Sequence, residues 1–340
     1  MVTITDVARY AGVSVSTVSY ALSGSRPVRP ETRARVRAAM RELGYRPSTS
    51  AQSLASRRRG VLALLYPMVD RGVGGTGGEF VQGIAGRARD LGYQLVVWPF
   101  RSSDRREVLE LLGRGMADGV VVMEVEAGDA RVQALEAAGV PYVMVGRTTD
   151  AEDRPSIDID IAAALVDAVD LLAGLGHTEI AFLGHSSASL AAGYGPSARA
   201  AAAYTAQLAA RGLRPLLLPC EDSPEAGRRA AAALLSAEPA VTAVITMNEL
   251  ATFGLLAGLR SGGVAVPERM SVLGVVTSPG VGALSEPPLT TLHAMGEQVG
   301  ALAVDRLVCQ LDPDADPAPN RLVRCVLVPG GSVAPAPVLG

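Results

Sequence analysis

Hydrophobic positions change their spacing along this chain in a way that divides it. Up to about residue 45 they recur every three to four positions, as in amphipathic helices: Val7, Ala8 and Ala11, then Val18, Ala21 and Leu22, then Val36, Met40 and Leu43. Thr3 and Asp6 have the spacing of a capping box, which starts the first helix, and Gly12 stops it. Ser14 is placed to cap a second helix, Val15 to Leu22, whose outer face carries Ser16, Thr17, Ser19 and Tyr20. Pro30 opens a third helix and Gly44 ends it. Two short helices joined by a glycine turn predict a helix-turn-helix.

From Val61 the pattern becomes short apolar runs alternating with amphipathic stretches: VLALLY, EFVQGIAGRARDLG, YQLVVW, REVLELLGRG, GVVVM, RVQALEAAG and PYVMVG. After RTTDAEDRPSIDID a second series of the same kind runs from AAALVDAVDLLAGLG to MSVLGVV. Such alternation predicts an α/β body of two lobes with parallel sheets and a cleft between them. Ligands of open α/β sheets bind outside the carboxyl ends of the strands, so the strand-end loops are the candidate small-molecule site.

Charge separates the two parts. Residues 1–60 hold eleven Arg against three acids, and residues 61–340 hold twenty against thirty-one; there is no lysine. A basic head on an acidic body suits a protein whose head alone meets phosphate, although a solvated basic face has the same composition. No run approaches the roughly 18 apolar residues of a membrane span, and MVTITDVARY lacks the pattern of a secretory leader, so a cytoplasmic location without membrane contact is expected. Cys220, Cys309 and Cys325 form no CxxC, and His177, His185 and His293 have no metal-ligand spacing. No metal and no cofactor are expected.

Other classes of protein leave weaker traces. Gly72, Gly74 and Gly77 spell a dinucleotide-binding GxGxxG, but Gly72 lies six residues past the strand ending at Tyr66, and Glu79 would repel a pyrophosphate. Ser186 in LGHSSAS resembles a hydrolase nucleophile elbow, with Ala188 where its last glycine belongs. Each histidine reads more simply as a strand-end or helix-end residue than as a catalyst. A solute-binding protein would fit the body but leaves the basic head without a purpose.

The segments TITDVARYAGVSVSTVSYALSG, VRPETRARVRAAMRELGYRPS and AQSLASRRRG resemble, without a gap, the head of the lactose-repressor (LacI/GalR) family. LGHTEIAFLG, TAVITMNELATFGLLAGLRSGGVAVPERMSVLG and EPPLTTLHAMGEQVGALAVDRL extend the resemblance into the body. It implies a helix-turn-helix domain over 1–47, a hinge helix and linker over 48–59, and an effector-binding core over 60–330. The first lobe would comprise about 60–158 and 290–320, and the second 159–289 and 321–330, with a crossing near Leu289 and a tail over 331–340. The expected protein is a non-enzymatic homodimer that binds double-stranded operator DNA and a small-molecule effector. Repression is the expected sign, with activation the alternative.

By position, the resemblance puts Val15, Ser16 and Tyr20 at base edges and Thr3, Ser14, Thr17, Ser19, Ser23, Thr32 and Tyr45 at phosphates. Tyr20 replaces the arginine usual at its place. Ala51 and Leu54 of the hinge would enter the minor groove; a solvated linker is the plainer alternative. In the cleft the resemblance nominates Phe80, Arg147, Asp222 and Asn248, with Arg199 one place from Ala200, where the family often has arginine. Arg147 can also be a strand-end cap and Asp222 a turn residue. Val276 stands where an aspartate usually follows the strand. Loss of both charged groups leaves open a sugar, a less polar effector, or no ligand dependence.

Overall fold

A computed structural model describes residues 2–23, 26, 28–45, 59–67, 74–99, 108, 110, 115–150 and 153–338, the side chains of 22, 23 and 99 excepted. The head consists of α1 (Ile4–Ala11), α2 (Val15–Ser23) and α3 (Pro30–Glu42). The capping box forms: the Asp6 amide donates to the Thr3 hydroxyl, and the Thr3 amide donates to the Asp6 carboxylate. Gly12, at φ 64°, terminates α1 in the left-handed region that glycine enters without Cβ strain. Val7, Ala8, Ala11, Val18, Val36 and Ala39 make the small core. Met40 and Leu43, expected inside, only pack against its edge. The hinge candidates Ala51 and Leu54 and the glycine Gly72 lie outside the described residues.

The body forms two lobes of equal design. The first sheet has the order β11-β5-β4-β3-β1-β2 and holds β1 (Val61–Tyr66), β2 (Gln94–Pro99), β3 (Gly119–Val122), β4 (Tyr142–Val145), β5 (Ser156–Ile159) and β11 (Arg321–Val323). The second has the order β12-β10-β9-β8-β6-β7, built from β6 (Ile180–His185), β7 (Leu216–Cys220), β8 (Ala243–Thr246), β9 (Ser271–Val275), β10 (Thr290–His293) and β12 (Val326–Val328). Among the described residues all strand pairs are parallel except β10 with β12. Each sheet reverses its order beside its first strand, and that reversal opens a crevice at the carboxyl ends.

The helices around the sheets are α4 (Gly75–Asp90) and α5 (Ala130–Ala137) in the first lobe. In the second they are α6 (Ile161–Gly174), α7 (Ser187–Ala191), α8 (Gly195–Ala210), α9 (Pro224–Ala237), α10 (Glu249–Ser261) and α11 (Pro279–Gly282). The last helix, α12 (Gly296–Leu311), returns to pack on α4. A Cβ at Gly83 would lie 2.1 Å from the Glu297 carbonyl oxygen, so these two helices touch backbone to backbone.

Two expected boundaries are corrected. Thr290–His293 pairs with β9 of the second sheet, so the chain crosses after His293 rather than near Leu289. Arg321–Val323 pairs with β5 of the first sheet, and only Val326–Val328 rejoins the second. The stretch Leu289–Leu292, two leucines flanking two β-branched threonines, reads alike for either sheet; long-range pairing decides. The segment assigned to a tail is also bound to the second lobe. Ser332, fully buried, accepts from the Thr290 amide at 2.8 Å and donates to the Val272 carbonyl at 2.6 Å, and the Ala336 amide donates to Leu175 at 2.8 Å.

Candidate functional site

The head presents α2 as a polar ridge. Val18 is buried beneath it, while Val15 and Ser16 are exposed and Ser19 and Tyr20 half-buried. Ser14 anchors its start: its hydroxyl accepts from the Thr17 amide at 3.1 Å and lies 2.9 Å from the Ser16 hydroxyl and 2.8 Å from that of Thr17. These three hydroxyls cluster at the helix N-terminus, where the backbone dipole favours an anion. Thr3 is differently committed. Its hydroxyl donates to Asp6 at 2.7 Å, and that bond holds the Asp6 carboxyl below the usual range, leaving an anion beside the hydroxyl expected at phosphate. Thr32 is half-buried on α3, and Tyr45 lies beside Arg37 and Arg41 in a shallow surface concavity. For Ser23 only the backbone, at the end of α2, is described.

Between the lobes is a cavity of about 360 Å³. Its apolar wall includes Tyr66, Phe80, Met123, Tyr194, Met247 and Val276, and its polar lining includes Glu124, Asp158, Asp222, Glu249 and His185. The His185 ring packs edge-on against Tyr194 at 5.3 Å, and its Nδ1 lies 2.8 Å from the Ser197 hydroxyl. Ser186 caps α7 by accepting from the Ser189 amide, which accounts for it without a nucleophilic role. Gly74 precedes α4 and Gly77 lies inside it, while Glu79 bonds His293 Nε2 at 2.7 Å.

The cleft is closed by contacts from both lobes. Glu249, at the first turn of α10, accepts from the amides of Gly75 at 2.9 Å and Thr76 at 3.0 Å. It thereby caps α4, whose own N-cap residue, Gly74, has no side chain to do so. The Ser278 amide donates to the Thr76 hydroxyl at 3.0 Å. Across the mouth, the Ala127 amide donates to the Gly193 carbonyl at 2.8 Å. Arg199 reaches from α8 to Asp158 on β5 at 2.9 Å, and Arg147 approaches the same carboxylate at 3.3 Å. Burial pushes the Asp158 carboxyl up despite Arg199, and burial also lowers Arg199, so desolvation outweighs the attraction within this pair.

These positions redistribute the sequence candidates. Phe80 and Asp222 line the cavity. Arg147 and Arg199 converge on Asp158, a residue that nothing in its local sequence distinguishes. Asn248 does not line the cavity: it is buried, its Oδ1 accepts from the Ala251 amide, and its Nδ2 donates to the Cys220 carbonyl at 3.0 Å. The N-cap position before an apolar helix is the signal that reveals this structural role. Ala200 is buried in the core with Tyr204. Val276 turns toward the cleft at φ 57°, a left-handed conformation that is strained for a β-branched residue. Among the described residues no cluster of His, Cys, Asp or Glu could hold a metal ion, and no helix is long and apolar enough to cross a membrane.

The comparison with known proteins follows this division. Residues 3–48 match the model of the bacterial regulatory proteins of the lacI family, and residues 169–333 match a periplasmic binding protein-like domain. The transcriptional regulator AglR of Rhizobium meliloti is 30% identical over 99% of this chain and 95% of its own length. A CelR–cellobiose complex superposes with TM-score 0.71 at 29% identity, covering 98% of this chain and all of that one. A lac repressor dimer bound to operator and the anti-inducer ONPF gives TM-score 0.78 at 26% identity, covering 98% and 99%. With a full-length relative at this identity and both parts matched in order, the chain belongs to the lacI family of bacterial regulatory proteins.

Proposed function

We propose that the chain is a cytoplasmic, dimeric transcription regulator that binds a palindromic DNA operator and takes a small-molecule effector, a sugar or another small metabolite, between its lobes. It acts as a repressor and catalyses no reaction. The observation that carries this reading is the joining, in one chain, of an exposed helix-turn-helix ridge on a basic head to a two-lobed cleft. Similar proteins are described with operator and with cellobiose, which supports both halves.

In this reading Val15, Ser16 and Tyr20 meet base edges, and Ser14, Thr17, Ser19, Ser23, Thr32 and Tyr45 hold phosphates, with Thr3 chiefly capping α1. Ala51 and Leu54 enter the minor groove at the centre of the site. Phe80, Asp222 and Glu249 face the effector, while Arg147 and Arg199 act on it through Asp158. Closure of the lobes shifts the population of the DNA-binding arrangement. Gel-shift titration with DNA from upstream of the protein's own gene tests this: retention centred on a palindrome is expected, and equal retention of scrambled DNA would refute it.

A further inference from the structure

The reading of α2 as the base-contacting helix meets a chemical difficulty. Val15–Ser23 contains no charged residue, so its exposed edge offers hydroxyl and methyl groups. A hydroxyl both donates and accepts, and so separates the four base pairs poorly; a guanidinium bidentate to guanine O6 and N7 separates them well. The arginines of α3, Arg33, Arg35, Arg37 and Arg41, belong to another helix. Arg26, three residues beyond α2, returns to it: its Cζ lies 5.2 Å from the centroid of the Tyr20 ring. Arg26 is exposed, and Tyr20 is half-buried one turn beyond exposed Ser16 on the same face of α2.

We propose that Tyr20 is a platform and that Arg26, held on its ring, is the residue that reads guanine in each half-site. The inference rests on the DNA-binding reading above and names the reader within it. The contact is a cation–π attraction to the ring face, which spends none of the guanidinium's N–H donors as hydrogen bonds, and a bidentate contact needs two of them. Ring contact also restricts a long side chain before DNA arrives, so less freedom is lost on binding. The phenol hydroxyl is not required; the ring is.

The full-length chain is tested by selecting bound sites from random-sequence DNA and sequencing them. The wild type is expected to prefer guanine at one position of each half-site. Arg26→Ala and Tyr20→Ala lose that preference by roughly 5- to 150-fold while retaining the rest of the motif. Tyr20→Phe keeps it, and Arg26→Lys loses it while keeping the charge. Retention of the rest of the motif by each variant shows that its head is folded, since an unfolded basic segment would bind every sequence alike. Loss in Tyr20→Phe equal to that in Tyr20→Ala would assign reading to the hydroxyl and overturn the proposal. So would an Arg26→Ala variant weakened equally on every sequence, the mark of a phosphate contact. A wild type without any base preference would overturn the DNA-binding reading itself.

Discussion

Glu249→Ala should open the cleft without unfolding either lobe. The carboxylate of a second-lobe helix caps a first-lobe helix, accepting from the amides of Gly75 and Thr76. Gly74 supplies no replacement. A side-chain cap contributes about 0.5–2 kcal/mol, and a carboxylate at a helix N-terminus about 0.3–1 kcal/mol more from the dipole. Glu249 is half-buried, which offsets part of this through desolvation, so about 2 kcal/mol is a reasonable net loss. That energy acts on the open–closed equilibrium, because opening returns both amides to water. It corresponds to a shift of about 30-fold toward the open form. Small-angle scattering of the ligand-free chain, or a distance measured between probes on the two lobes, would register the larger separation. Glu249→Gln keeps an acceptor oxygen and should fall between wild type and alanine. An unchanged interlobe distance in Glu249→Ala would refute the assignment of this contact as a latch.

Three further expectations concern residues elsewhere in the body. His177 is buried with Nε2 donating to the Ala334 carbonyl at 3.0 Å and Nδ1 accepting from the Thr242 hydroxyl at 2.8 Å, and burial lowers its pKa from 6.5. The ring is therefore favoured neutral in the folded chain, so its contribution is full above pH 6.5 and falls as pH drops below it. Thermal melting between pH 5 and 8 should show this decline, and His177→Gln should flatten it. Asn248→Ala should cost about 1 kcal/mol or somewhat more in denaturant unfolding, through loss of its cap and of the Cys220 bond. Its effector affinity, once a ligand is in hand from thermal-shift screening, should stay close to wild type; a selective loss of affinity would restore it as a ligand contact. Val276→Asn, at φ 57°, should stabilise the chain by up to about 1 kcal/mol, because asparagine tolerates the left-handed region; a lower melting temperature would show that packing of the valine matters more.

What the sequence revealed, and what it concealed, follows from distance along the chain. Thr3 with Asp6 and Ser14 with Thr17 act over three residues, so their spacing alone identifies the caps. The repeated alternation of apolar runs with helices sufficed for two parallel-sheet lobes. Asp158 and Glu249 were not recognisable, since their partners lie 41 and about 174 residues away and their neighbours in sequence are unremarkable polar and apolar residues. The same limit misplaced the last crossings: Thr290–His293 has the composition of a strand in either sheet. Ser332 read as part of a Pro/Ala-rich tail because nothing in GGSVAPAPVLG signals the two buried groups it satisfies in the second lobe. Asn248 differs, for its place before α10 is that of a cap, and there the local chemistry alone indicates what the side chain does.

The central claim is that two copies of the basic head bind a palindromic DNA site sequence-specifically, and an anisotropy titration at moderate salt tests it most directly. The full-length protein is titrated with an intact palindrome from its upstream region, with the same fragment carrying one half-site, and with a scrambled fragment. Two symmetric heads predict tight binding of the palindrome, a preference over scrambled DNA on the order of 10³ or more, and a large loss when one half-site is removed. Equal affinity for all three fragments, falling together as salt rises, would mean that the basic head merely attracts phosphate, and would contradict the account.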